Sequence, residues 1–150
     1  MAKIAPSLRL TPDEIDGIMR TQARLCIATI GPGADINLTP MTFGWAGGQV
    51  YIFGRGQKVA NLRRDGRATV LVDLGDAWRE LKGVMMRGKA RVLETAEDEA
   101  GDAHLPEAQR NLGEKHGLGK PYQASASGRS RRWIVFTPER VVSWNNERLP

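Results

Sequence analysis

The chain has 150 residues, 41% of them apolar, and a formal charge of +5 from 22 Lys and Arg against 17 Asp and Glu. That is material for one domain, 1–150, with a substantial core, and no stretch approaches the ~20 apolar residues of a membrane span. The positive surplus favours an anionic partner, but the cations are spread along the chain rather than set on one arm, so a small polyanionic cofactor serves as well as nucleic acid.

Two further exclusions are local. The N-terminus MAKIAPSLRL lacks the apolar segment of a secretory signal. The single cysteine, Cys26, can form no intrachain disulfide; inside the apolar run RLCIATI it reads as a buried, inert thiol. A cytoplasmic location is the resulting expectation.

In chain order, residues 10–22 carry the clearest signal. Thr11 with Glu14 makes a capping-box pattern, Pro12 stands at the first helical position, and Leu10 can staple onto Ile15. Ile15, Ile18, Met19 and Gln22 follow at helical spacing, which predicts a helix over about 12–22 packed across the end of a barrel. ARLCIATI then reads as a strand, closed by the turn Gly31-Pro32-Gly33-Ala34-Asp35. INLTPMTFGW follows with Pro40 in its interior. Proline cannot donate to a ladder, so this strand lies at an edge or bulges at Pro40. Such a feature either frees backbone for a ligand or merely protects the edge. Ala46-Gly47-Gly48 turns the chain into QVYIFG, and the two strands read as a hairpin.

A short helix, KVANLRRD, leads through Asp65-Gly66 to RATVLVDL, which is apolar on both faces and therefore central. Residues 78–94, WRELKGVMMRGKARVLE, read as one long strand, with Val84, Met86, Gly88, Ala90 and Val92 on one face and Arg87, Lys89 and Arg91 on the other. Thr95 and Asp98 resemble a cap for the acidic segment that follows, and Pro106 splits that segment into two helical pieces. Residues 117–130 read as a mobile loop. SRRWIVFTP and RVVSWNN close the chain as two strands. About seven strands without an internal repeat indicate a mostly β, antiparallel barrel.

The stretch 36–64 is chemically the most distinctive. It holds Arg55, Lys58, Arg63 and Arg64 and no acidic residue. Arg55-Gly56-Gln57-Lys58 falls where a strand gives way to a helix start, a place that disfavours cations unless an anion is bound there. Gly54 and Gly56 permit close backbone approach. We read this corner as a phosphate site; the plain alternative is a pair of solvated surface cations.

Other chemistry is absent. There is no G-x-S-x-G elbow, Walker loop or G-x-G-x-x-G fingerprint. One Cys with two His, His104 and His116, makes no zinc site, and both histidines read as solvated. No nucleophile–base pair follows from spacing, so no catalytic residue is assigned and a bound cofactor would supply the chemistry. Phe43, Trp45, Tyr51, Phe53, Trp78, Trp133 and Trp144 could flank a flat ring, though most are more simply core or dimer-interface residues.

The succession RLCIATIGPGADINLTPMTFGW, QVYIFGRGQKVANLRRDGRATVLVD and WRELKGVMMRGKARVLE resembles the pyridoxamine-phosphate-oxidase-like split β-barrel superfamily, over about residues 10–150. Its most specific piece is the basic step with K-x-x-N-L, here Lys58, Asn61 and Leu62. The ending IVFTPERVVSWNNERL is similar to the closing strands of the branch that uses the deazaflavin coenzyme F420. The resemblance implies an FMN-binding-type split barrel with short peripheral helices, and a homodimer with cofactors in grooves between the subunits. Carried over by position, Thr39, Pro40, Met41 and Thr42 face the ring, while Arg55, Lys58 and Asn61 hold the phosphate. Gln57 shares that step, and Phe53 and Trp78 are the aromatic candidates beside the ring. Spare cations suit the coenzyme's oligoglutamate tail.

The implied activity is that of an F420-dependent reductase. It would transfer a hydride from reduced deazaflavin to an electron-poor small molecule such as an enone, quinone or tetrapyrrole, with positioning and burial supplying most of the rate. An FMN-binding relative is the nearest alternative, since the phosphate corner would be the same. A non-enzymatic basic barrel that binds nucleic acid or stores a cofactor is a third. Haem handling is disfavoured, because neither histidine falls in a barrel strand.

Overall fold

The computed structural model describes residues 3–126 and 131–150. Helix α1 (Pro12–Thr21) begins at a capping box closed in both directions: Glu14 N–H donates to Thr11 Oγ1 at 3.2 Å, and Thr11 N–H to Glu14 Oε1 at 3.1 Å. Its buried Met19 and half-buried Ile15 and Ile18 pack onto the barrel core.

Strands β1 (Arg24–Ile30), β2 (Ile36–Thr42), β3 (Gly44–Ala46), β4 (Gln49–Gly54), β5 (Arg67–Leu74), β6 (Lys82–Leu93) and β7 (Arg132–Asn145) form one antiparallel sheet in the order β2-β1-β5-β6-β7-β4-β3. The sheet curls until β2 returns beside β4, as a split barrel does: a Cβ on Gly54 of β4 would meet Met41 Cε of β2 at 3.3 Å. Period-two alternation fills the interior with Leu25, Ile27, Val50, Ile52, Val70, Val72, Val84 and Met86. Helix α2 (Gln57–Arg64) caps one end. Helices α3 (Ala96–Ala100) and α4 (Leu105–Lys115) follow β6, and α4 builds a second core on the other face, with Leu105, Ala108 and Leu112 against Tyr51 and Trp133.

The mostly β split barrel with short peripheral helices is therefore as expected, and β5 is interior to the sheet while Pro40 stands on an edge strand paired only with β1. Several expectations fail, each for a tertiary reason. The run INLTPMTFGW is not one arm of a hairpin. It breaks at Phe43, so β2 pairs with β1 on one edge while β3 pairs with β4 on the other. The long strand starts at Lys82, because Trp78–Glu80 forms a 3-10 turn in which Ala77 N–H donates to Glu80 Oε2. The last two strands are one, passing Pro138 with a bulge opposite Arg87/Gly88.

Cys26 is half-exposed on the outer face of β1 rather than buried. Of the expected mobile loop, Ser127–Ser130 lie outside the described residues. The part before them is tied down: Tyr122 N–H donates to Gln109 O at 2.9 Å and Trp133 Nε1 to Ala124 O at 2.7 Å. Both histidines are exposed as expected. Among the described residues no helix is long and apolar enough to cross a membrane.

Candidate functional site

The site is built at the seam where β2 faces β4, under the start of α2. Gly56 is the residue before that helix, at φ 83° and ψ −148°, a conformation essentially confined to glycine. It brings no capping side chain, and the first turn holds no acidic residue. Val59 N–H and Ala60 N–H both use the Gly56 carbonyl, which leaves the N–H groups of Gln57 and Lys58 without an acceptor among the described residues. An uncapped helix start is an anion receptor.

Two of the four cations in the stretch 36–64 are employed elsewhere. Arg63 is engaged by Glu94 at 2.6 Å, and Arg64 donates to Ile30 O at 2.7 Å. Arg55 and Lys58 stand at the helix mouth. Lys58 Nζ donates only to the Arg55 carbonyl, at 2.8 Å. Burial, and then the charge of Arg55, hold its ammonium below the ordinary lysine value. A bound anion would remove that strain.

Below the helix mouth runs a polar strip. Asn61, fully buried, donates from Nδ2 to Thr29 Oγ1 at 3.0 Å and accepts at Oδ1 from Gln57 Nε2 at 2.7 Å. Its amide is spent inside the protein, so it reaches the helix mouth through Gln57. Across the ladder from Thr29 and Ile27 stand Asn37 and Thr39. Asn37 Oδ1 and Thr39 Oγ1 are buried and have no hydrogen-bond partner, an arrangement proteins rarely leave unfilled. Met41 continues the same face and meets Gly54, and a Cβ on Gly54 would also lie 3.5 Å from Lys58 Cδ. Asn37, Thr39, Met41, Gly54 and Lys58 thus form one continuous wall.

The other residues singled out from the sequence lie elsewhere. Pro40 and Thr42 point to the opposite, solvent side of β2. Phe53 points to the α4 side of β4, its ring 5.1 Å from Trp133 and 6.2 Å from Tyr122. Trp78 is 64% exposed. It stands beyond Lys82, which pairs with Asn145 at one end of β7, whereas Gly54 pairs with Arg132 at the other. Along a 14-residue strand that is roughly 40 Å of contour. Within one chain the structure brings together Thr39, Met41, Arg55, Gln57, Lys58 and Asn61, and not Pro40, Thr42, Phe53 or Trp78. Asn37 was missed from the sequence, although its two-residue spacing from Thr39 places it on the same face. No carboxylate or imidazole belongs to the wall, and among the described residues no cluster of His, Cys, Asp and Glu could hold a metal.

Comparison with known proteins agrees with the fold. The sequence pattern of the pyridoxamine 5'-phosphate oxidase family matches residues 11–145. No curated protein matches the chain in sequence. Among solved structures, a conserved hypothetical protein, Rv2991, from Mycobacterium tuberculosis superposes with a TM-score of 0.78 at 24% identity, over 99% of this chain and 92% of that one. A FAD-binding protein from Mesorhizobium loti gives 0.67 at 18%, over 89% and 94%. HutZ, the haem storage protein from Vibrio cholerae, gives 0.67 at 14%, over 93% and 99%. At these identities the likeness is one of fold.

Proposed function

The chain belongs to the pyridoxamine 5'-phosphate oxidase family, and from that premise we propose that it is an F420-dependent reductase holding the deazaflavin along the β2–β4 seam, with the phosphate at the start of α2. One observation carries the reading: an uncapped, basic helix mouth is continuous with two buried acceptors, Asn37 Oδ1 and Thr39 Oγ1, that have no partner in the protein. A phosphate fits the first, and the hydrogen-bonding edge of a ring fits the second. When bound, the deazaflavin supplies two-electron hydride chemistry towards an electron-poor small molecule such as an enone, quinone or tetrapyrrole.

The protein's own part is binding and orientation. Arg55, Lys58 and the free N–H groups of the first helical turn hold the phosphate. Gln57, kept in place by Asn61, backs them. Asn37 and Thr39 fix the ring's polar edge, and Met41 with Gly54 gives it an apolar floor. Positioning of this kind can account for a large part of a rate. The wall has no carboxylic acid or imidazole, and the proton for the substrate comes from solvent or a nearby group.

This reading puts a second subunit on the outer face of the β2 edge. Ile36 and Leu38 are 67% and 65% exposed there, and large apolar side chains left bare on one strand mark an interface. Such a dimer also gives Pro40, Thr42 and Trp78, which one chain keeps away from the wall, a route to a partner's groove.

The reading is tested by following oxidation of reduced F420 by the purified protein across a panel of quinones, enones and tetrapyrroles, with the mass in solution measured alongside. A dimer with acceptor-dependent turnover is expected. A monomer with no turnover on any acceptor counts against the assignment. FMN is the second reading, because the helix mouth suits its phosphate equally well.

A further inference from the structure

The segment before α1 lies against the later part of β7 and is fastened there. Leu10 N–H donates to Ser143 Oγ at 3.0 Å, and Arg148 Nη1 donates to the Arg9 carbonyl at 2.6 Å. The Arg9 guanidinium in turn grips the Ile4 carbonyl, from Nη2 at 3.2 Å and from Nε at 3.3 Å. Between this fixed segment and the sheet is a cavity of about 630 Å³, within the ~300–1,000 Å³ usual for small-ligand sites. Its apolar lining comes from Ile4 and Leu10 of the segment and from Met85, Val141 and Val142 of the sheet. Val141 is 44% exposed.

The charged residues that line this cavity are Lys3, Arg9 and Arg140, and no carboxylate lines it. That is unlike the rest of the chain, where Arg20, Arg63, Arg67, Arg91 and Arg148 each hold a carboxylate at 2.6–2.7 Å. Neither Lys3 nor Arg140 has a hydrogen bond or ion pair among the described residues. Arg9 is engaged only by a neutral carbonyl, through Nε and Nη2, so Nη1 stays available. Glu139, next to Arg140 in the chain, lines the adjoining groove with Ile36 and Arg67 instead.

We propose that the cavity binds an amphipathic monocarboxylate, its apolar body against Met85, Val141 and Val142 and its head group on Arg140 and Arg9. An arginine fork matches a carboxylate in two parallel hydrogen bonds, and Lys3 adds a third positive charge. An apolar lining with cations and no acid selects for a ligand with both characters. The site shares no residue with the β2–β4 seam and does not depend on the reading of that seam. Gly54 of the seam pairs with Arg132, at the far stretch of β7 from Arg140, roughly 26 Å of contour away. Ile36 and Leu38 lie on β2, four strands from β7 in the sheet order.

The test is a calorimetric titration of the full chain with decanoate, and with decanol and decylamine as probes of the same carbon chain without the anion. In the wild type decanoate should saturate at one molecule per chain, with the other two weaker by at least about tenfold. Arg140→Gln should weaken decanoate by at least about tenfold, through loss of a hydrogen bond between charged groups. Its thermal midpoint should be unchanged, because Arg140 is exposed and has no partner among the described residues. Equal decanoate affinity in Arg140→Gln overturns the proposal. Decanol binding as tightly as decanoate also overturns it, since apolar contact alone would then be at work. So does the absence of saturable decanoate binding in the wild type. F420 and FMN titrated into the same two proteins separate this cavity from the seam. Their affinities should be the same in both, and a parallel loss of cofactor in Arg140→Gln would make the two sites one and overturn a second site. Decanoate binding as described, with neither cofactor bound, fails the seam and leaves the cavity standing.

Discussion

Replacing Lys58 with Ala separates a ligand-binding cation from a structural one. In the free protein Lys58 contributes one exposed hydrogen bond, to the Arg55 carbonyl at 2.8 Å, and stands beside Arg55 at the positive end of α2. Burial and that neighbouring charge both work against its ammonium. Its removal should leave the apo thermal midpoint unchanged or slightly raised. With a phosphate in place the balance reverses, because the amine then makes a hydrogen bond to a charged group worth about 1.5–3 kcal/mol. That is a loss of roughly 10- to 150-fold in cofactor affinity. Fluorescence titration gives the affinity and scanning calorimetry the midpoint. Unaltered affinity would refute the phosphate assignment. A fall in the apo midpoint matching the loss of binding would make Lys58 a structural residue instead.

Three further outcomes are expected. Thr39→Val removes a buried, unpartnered hydroxyl at nearly constant shape, so the apo protein should be as stable or more stable by about 1 kcal/mol while cofactor binding weakens; thermal melts and titration of the same samples check both. Gly44→Ala places a methyl against the Ala108 carbonyl backbone and should cost about 1–3 kcal/mol in chemical denaturation. Glu14 is held down to about 2 from 4.5, chiefly by its hydrogen bond to Arg148 and then by the Thr11 N–H. Its contribution is present above 4.5 and lost as pH falls towards 2, so Glu14→Gln should flatten that part of the midpoint-versus-pH curve.

What could be read in advance was mostly local. The Thr11–Glu14 box, the Gly56 corner and the alternation of β6 each depend on residues within a few positions of one another, and each is present. The crossover at Phe43 was not legible, because Phe43-Gly44-Trp45 continues an apolar run and only the approach of α4, some sixty residues later, shows why the strand stops. The setting of Trp78 was not legible either. A tryptophan suggests burial, yet a 3-10 turn held by Glu80 and by Asn146 Nδ2 on the Trp78 carbonyl presents it to solvent. At the site itself, the family resemblance named Thr39, Pro40, Met41 and Thr42 together, and the period-two alternation of β2 puts only Thr39 and Met41 on the inward face. The same spacing points to Asn37, whose unpaired oxygen becomes visible only in three dimensions.

The central claim is that the basic mouth of α2 and the unpaired acceptors of β2 together receive a phosphorylated ring. Its most direct test is a side-by-side titration of the purified protein with F420 and with FMN, read by the fluorescence of each ring. The account predicts saturable F420 binding at about micromolar concentration or tighter, one ring per subunit and with FMN much weaker. Absence of saturable binding by either ring would contradict it.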